Sequence, residues 1–206
     1  MHANSQPAPR LCLASASPRR HELLKQIGVH HSVRAPQIDE AVLPGERAAD
    51  YVVRMARSKA LSVHAHSGGL PVLGADTIVL IDELILGKPA GAAEGVAMLE
   101  RLAGRTHEVL TAVALASAAG LNLRLSTSEV RLCALSRAQC IAYWNSGEPH
   151  DKAGAYAVQG RAAAFIEYLA GSYSGVMGLP LYETTQLLRA AGVPCWLDEA
   201  HRGLPA

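Results

Sequence analysis

The stretch PVLGADTIVLIDELIL, residues 71–86, decides the fold. It is an apolar run rich in β-branched side chains. Opened by Pro71, it reads as a strand through Ile81, a turn at Asp82-Glu83, and a second strand from Leu84 to Leu86. If Asp82 and Glu83 are the two turn residues, counting outward pairs Ile81 with Leu84 and Thr77 with Lys88. That register brings Lys88 beside Asp76. A carboxylate inside such a strand is costly to bury alone, so Asp76 requires a cation, a donor or a chemical task. A structural Asp–Lys pair and a catalytic carboxylate both satisfy that requirement.

On the N-terminal side, Leu11 to Ala14 form a short apolar strand that enters Ser15-Ala16-Ser17 and a helix from Pro18 to about Ile27, stopped by Gly28. Ser17 suits an N-cap and Pro18 the first helical position. Free backbone N–H groups and the positive end of the helix dipole therefore meet the hydroxyls of Ser15 and Ser17 and the guanidinium groups of Arg19 and Arg20. An anion, above all a polyphosphate, fits that assembly; so does an ordinary capped helix with solvated arginines. A second helix is expected from about Arg47 to Ala65. Val52, Met55, Ala56 and Lys59 follow helical spacing, so Lys59 either snorkels from an apolar stripe or points into a cleft. Glu40, in Ile38-Asp39-Glu40, adds a loop carboxylate able to meet a divalent cation.

On the C-terminal side, a helix from about Ala92 to Leu102 precedes a strand from His107 to Ala116. Alternating apolar residues from Leu121 to Leu132 give one or two more strands. Ser136 caps a helix ending at Gly147, Ala153 to Ser174 reads as Gly-punctuated and β-rich, and Pro180 starts a last helix ending near Gly192. Helices interleaved with strands and hairpins specify an α/β fold, a mixed sheet flanked by helices.

The totals bound the function. The 206 residues suffice for one domain, or two lobes around a cleft, and 50% of them are apolar. Nineteen Lys and Arg against 18 Asp and Glu leave a net charge of +1, so a general nucleic-acid binder is not expected and phosphate chemistry must come from a local basic cluster. Four cysteines without a C-x-x-C pair read as thiols of a reducing cytoplasm. No apolar run approaches membrane-spanning length, and the first ten residues read as a flexible leader rather than a signal peptide. The nine histidines lack a third ligand at metal-site spacing, and Walker, Rossmann and nucleophile-elbow motifs do not occur.

Eight blocks in order resemble the Maf family of nucleotide pyrophosphatases. They are ASASPRR (14–20), IDE (38–40), RSKA (57–60), GADTIV (74–79), GKP (87–89), GRTHEVLTAV (104–113), SGEPHDKAGAYAVQG (146–160) and GSYSGVMGLPL (171–181). The resemblance spans about Leu11 to Gly192, leaving 193–206 as a tail. It implies a mixed sheet bent around a cleft, a homodimer, a divalent cation (Mg2+ or Mn2+) and cleavage between the α and β phosphates of a nucleoside triphosphate. Arg19, Thr77 and Gln159 occupy the places that mark the dTTP/UTP branch. Ala16 and Ala157 stand where glycine is common. The resemblance further implies that Ser15, Arg20, Lys59 and Lys88 bind phosphate, that Glu40 ligates the metal, and that Asp76 is the general base or mainly a metal ligand. A 7-methyl-GTP pyrophosphatase of the same family and a non-catalytic nucleotide-binding regulator of septum formation are the alternative readings.

Overall fold

Strand β3 (Val72–Ile81) is the spine of a seven-stranded sheet. The computed structural model describes residues 8–196 and 198. One side of β3 is paired almost throughout with antiparallel β5 (Thr106–Ser117), from Val72 opposite Ala116 to Leu80 opposite Glu108. Its other side is shared by two strands. β1 (Leu11–Ala14) runs parallel to β3 and ends with Ala14 opposite Gly74, while β4 (Leu84–Leu86) folds back from Ile81 and reaches only Val79. Among the described residues, therefore, no strand covers that side of β3 between Ala75 and Ile78. The gap lies off the C-terminal end of β1, a common place for a ligand crevice in α/β sheets. β2 (His31–Val33) lies parallel outside β1; β6 (Gly120–Leu132) and β7 (Ile166–Ala170) follow antiparallel beyond β5. The order is β2-β1-β3-β5-β6-β7, with β4 on the shared edge.

The helices cover both faces because β3 is apolar on both. Leu73 and Ala75 pack with α1 (Pro18–Gln26) and α6 (Leu181–Ala190). Val79 and Ile81 pack with α3 (Ala92–Leu102) and α4 (Arg137–Trp144). Ile78 points the other way, to α2 (Ala48–His64). Two apolar bodies thus flank the gap, the expected lobes around a cleft.

The hairpin has the expected register, Ile81 opposite Leu84. Asp82 and Glu83 both adopt left-handed φ, 51° and 61°, as a two-residue primed turn demands, and Arg105 grips the Asp82 carboxylate with two hydrogen bonds. The ladder ends at Val79 opposite Leu86, so the expected pairing of Thr77 with Lys88 does not form. Gly87 instead accepts a hydrogen bond from Gly154 N–H, and Pro89 has no N–H to extend a ladder. The stretch 153–174 is also less β-rich than expected. It holds two 3-10 turns, Ala153–Ala155 and Arg161–Phe165, strand β7, and the short helix α5 (Tyr173–Val176). The alternation from Leu121 to Leu132 belongs to one strand, β6. The leader expected at 1–10 falls mostly on residues 1–7, outside the described residues, and Arg10 already donates its N–H to His30 O. Beyond Gly192, Val193 and Cys195 are buried in the α1/α6 core, whereas 197 and 199–206 lie outside the described residues. No described helix is long and apolar enough to cross a membrane.

Candidate active site

A cleft of about 470 Å3 opens at the β3 gap. Ser15, Arg19, Arg20, Glu40, Lys59, Asp76, Thr77, Lys88 and Gln159, all nine residues singled out in the sequence, line it. Lys152 and Asp151 join them, giving five basic side chains against three carboxylates. The near-neutral chain thus concentrates its positive charge here.

Asp76 and Thr77, neighbours on β3, serve opposite faces of the sheet, and both reach the cleft because the gap leaves that edge of the strand open. Asp76 faces α2. Its Oδ1 accepts a 2.7 Å hydrogen bond from Lys59 Nζ, and both residues are 7% exposed. Lys59 also lies 2.9 Å from Glu40 Oε1. The lysine on the apolar stripe therefore points into the cleft rather than snorkelling outward. It is Lys59, not Lys88, that pairs with Asp76. Gly74 makes this possible: a β-carbon there would stand 2.4 Å from Ala56 O and 2.6 Å from Ala60 N, so only glycine lets α2 lie so close to β3. Glu40 is held from behind, with Tyr51 O–H donating to its carbonyl at 2.9 Å, and Arg54 bridging Ala41 O and the Glu46 carboxylate. Lys88 is exposed at the rim.

Thr77 faces α1. Arg20 donates through Nε to Gly178 O at 2.7 Å, through one terminal nitrogen to Thr77 Oγ1 at 3.2 Å, and through the other to Ser15 Oγ at 3.3 Å. Thr111 Oγ1 stands 3.0 Å from Thr77 Oγ1 and 2.8 Å from Gly175 O. A carbonyl only accepts and Thr111 has one proton, so Thr111 donates to Gly175 and Thr77 donates to Thr111. Ser17 is the N-cap of α1 by backbone conformation, yet its hydroxyl makes no capping bond; its N–H donates instead to Ser15 Oγ at 3.1 Å. The first turn of α1 carries two arginines and no acid, the arrangement the helix dipole disfavours. Burial pulls the Arg20 guanidinium below its ordinary range, Asp76 opposes that, and Arg19 adds to it. An anion at this end would relieve all of these costs at once.

Gln159 lies at the exposed side of the cleft, on the loop between the two 3-10 turns. Arg19 reaches Asp151, which lies just before the first of those turns, at 3.4 Å, and Asp151 also contacts Lys152. Sequence reasoning assigned no role to Tyr51, Thr111, Asp151, Lys152 or Tyr156. Tyr156 lines the cleft, is 5% exposed, and meets buried His107 at 2.8 Å. Each of them except Tyr51 sits in a quoted motif block, which was the available signal.

A divalent cation takes oxygen ligands and, beside a polyphosphate, needs only one or two carboxylates from the protein. Asp76 and Glu40 converge on one ammonium and line the same cleft as the first turn of α1, so the donor set fits such an ion. Among the described residues no group of three or more His, Cys, Asp or Glu is placed to hold a metal without substrate oxygens.

The family model described as Maf-like protein matches residues 10–191. A dTTP/UTP pyrophosphatase of Bordetella parapertussis is 54% identical over 194 residues, covering 90% of this chain and 94% of its own. The dTTP/UTP pyrophosphatase of Methylobacillus flagellatus is 54% identical over 186 residues, with 89% and 94% covered. That of Hahella chejuensis is 49% identical over 192 residues, with 92% and 96% covered. With its cleft residues and its match running nearly end to end, the chain belongs to the Maf-like family.

Proposed function

We propose that this chain hydrolyses dTTP and UTP to the nucleoside monophosphate and pyrophosphate. The observation that carries the reading is the buried Asp76–Lys59 pair, joined by exposed Glu40, in one cleft with the Ser15/Arg20 end of α1. The names of the relatives supply the substrate class. The triphosphate lies along the basic side of the cleft, where Ser15, Arg20, Lys88 and the α1 N-terminus offset its charge. Asp76 takes a proton from a water whose oxygen bonds to the α-phosphorus. The α–β bridging oxygen leaves with its electron pair on pyrophosphate, the better leaving group because cationic side chains share its charge. Lys59 holds Asp76 Oδ1 and leaves Oδ2 outside that contact, which fixes the carboxylate's orientation. Glu40 and Asp76 would hold Mg2+ or Mn2+, which when bound would supply charge neutralisation and acidify a nearby water. Gln159, Arg19 and Thr77 select the base and its flanking groups.

The working protein is proposed to be a homodimer in the cytoplasm, where the thiols of Cys12, Cys133, Cys140 and Cys195 stay reduced. Product analysis tests the reaction. UTP with Mg2+ yields UMP and pyrophosphate in equal amounts; UDP with orthophosphate would overturn the assignment.

A further inference from the structure

The loop that carries Gln159 is not held by a strand ladder. It is held by a carboxylate and a phenol, Glu148 and Tyr143, neither of which lines the cleft. Glu148 Oε2 accepts Arg161 N–H at 2.8 Å, and Oε1 accepts Tyr143 O–H at 2.7 Å and Ala162 N–H at 3.2 Å. The Tyr143 oxygen in turn accepts Ala157 N–H at 3.1 Å. The carboxylate and phenol thus tie down residues 157, 161 and 162, on both sides of Gln159. Gly160 gives an independent sign of the fit: a β-carbon there would stand 2.3–2.5 Å from the Glu148 carboxylate. Burial pushes the Glu148 carboxyl up, but the Arg161, Tyr143 and Ala162 donors outweigh it and hold the group below its usual range. The acceptor is therefore ionised at neutral pH, when its hydrogen bonds are strongest.

We infer that Glu148 is the positioning residue for base selection, acting through Tyr143 and the 157–162 loop to aim Gln159. An exposed glutamine discriminates only if its backbone holds the amide at a set distance and direction from the base, because its matched donor and acceptor then meet the base edge in one geometry. The proposal rests on the assignment of Gln159 to the base.

The test is the ratio of kcat/KM for UTP over CTP in the full chain. Glu148→Gln places an amide donor against the loop N–H groups, and the ratio should fall at least about tenfold, within the range a matched polar site commands. In a Gln159→Ala background the same substitution should move the ratio by less than about twofold, as expected if both act on one step. Tyr143→Phe, which removes the phenol's bonds to Ala157 N–H and to Glu148 Oε1 but keeps the Glu148 ties to Arg161 and Ala162, should lower the ratio by a smaller factor and decides the matter if Glu148→Gln does not fold. A purely structural role would lower the melting temperature and leave the ratio intact; folded Tyr143→Phe and Glu148→Gln proteins with the wild-type ratio overturn the proposal. A missing preference in the unsubstituted protein would instead defeat the base assignment itself, and this inference with it.

Discussion

Lys59 Nζ donates to Asp76 Oδ1 at 2.7 Å, and the two side chains are only 9% and 10% exposed. This pair joins the middle of α2 to the centre of β3, and Glu40 completes it from the cleft side at 2.9 Å. The contact places the candidate base and gives a buried carboxylate its partner. It also means that the lysine's charge is balanced within the protein; Lys152 is likewise paired with Asp151, which leaves Arg20 and Lys88 as the cleft cations without a carboxylate partner among the described residues.

Asp76→Asn keeps the size of the side chain and can still accept from Lys59. The protein should still fold, with a melting temperature lowered because Lys59 keeps only Glu40 as its carboxylate partner, while turnover of UTP per folded molecule falls by at least about a hundredfold, the low end for loss of a general base. Near-normal turnover by folded mutant protein would remove Asp76 from the chemistry.

Lys59 and Lys88 should separate in character. Removing one partner of a buried ion pair strands the other, so Lys59→Met should destabilise by about 3–5 kcal/mol as well as abolish turnover. Lys88 is exposed at the rim, and Lys88→Ala should cost under about 0.5 kcal/mol while lowering kcat/KM for UTP. Urea titration beside steady-state kinetics checks both. A Lys88→Ala protein with wild-type kinetics would take that residue out of the site.

Helical spacing put Lys59 on the apolar stripe of α2 but left open whether it snorkels or enters the cleft; the Asp76 strand and the two-residue turn were legible from the apolar run and its interruption. The partner of Asp76 was not. Counting along a hairpin nominated Lys88, whereas the answer lay in the approach of α2 to β3 across Gly74, a long-range packing choice with no local period. The loop from 153 to 165 misled for a related reason. Its glycines and apolar residues suggest strands, but several of its N–H groups are satisfied by the Glu148 and Tyr143 side chains, and Gly154 and Ala155 take left-handed φ of 67° and 58°. Side-chain acceptors brought in from another element do not announce themselves in a pattern of hydrophobicity.

Stability should fall on mild acidification. Burial lowers the pKa of His107 from 6.5 to about 4, only partly offset by the backbone of Arg105. A histidine with a depressed folded pKa stays neutral in the fold while the unfolded chain takes up a proton, so stability is intact above about pH 6.5 and is lost as pH drops toward 4. The loss between pH 7 and pH 5 should be about 2 kcal/mol, with half-buried His31, also shifted down by burial, adding in the same direction. Chemical denaturation at the two pH values measures it. A His107→Asn protein should show a clearly flatter dependence in that window; an unchanged slope would contradict the assignment.

The base is selected, in this account, by hydrogen-bond pattern. Thymine and uracil both offer two carbonyl acceptors flanking the N3–H donor and differ by a methyl, whereas cytosine offers an acceptor at N3 and an amino donor. The Gln159 amide can match the first pattern in one orientation and must flip for the second. Its exposed position at the cleft makes the preference dependent on the loop that holds it. An added methyl is worth only about 1–3 kcal/mol, so dTTP and UTP should differ modestly from one another. The most direct measurement is kcat/KM for pyrophosphate release from dTTP, UTP, CTP, ATP and GTP, side by side with Mg2+ and with Mn2+. The account predicts efficient release from dTTP and UTP, and values lower by at least about a hundredfold for CTP and the purine triphosphates. Equal kcat/KM for CTP and UTP, or no pyrophosphate from either under both metals, would contradict it.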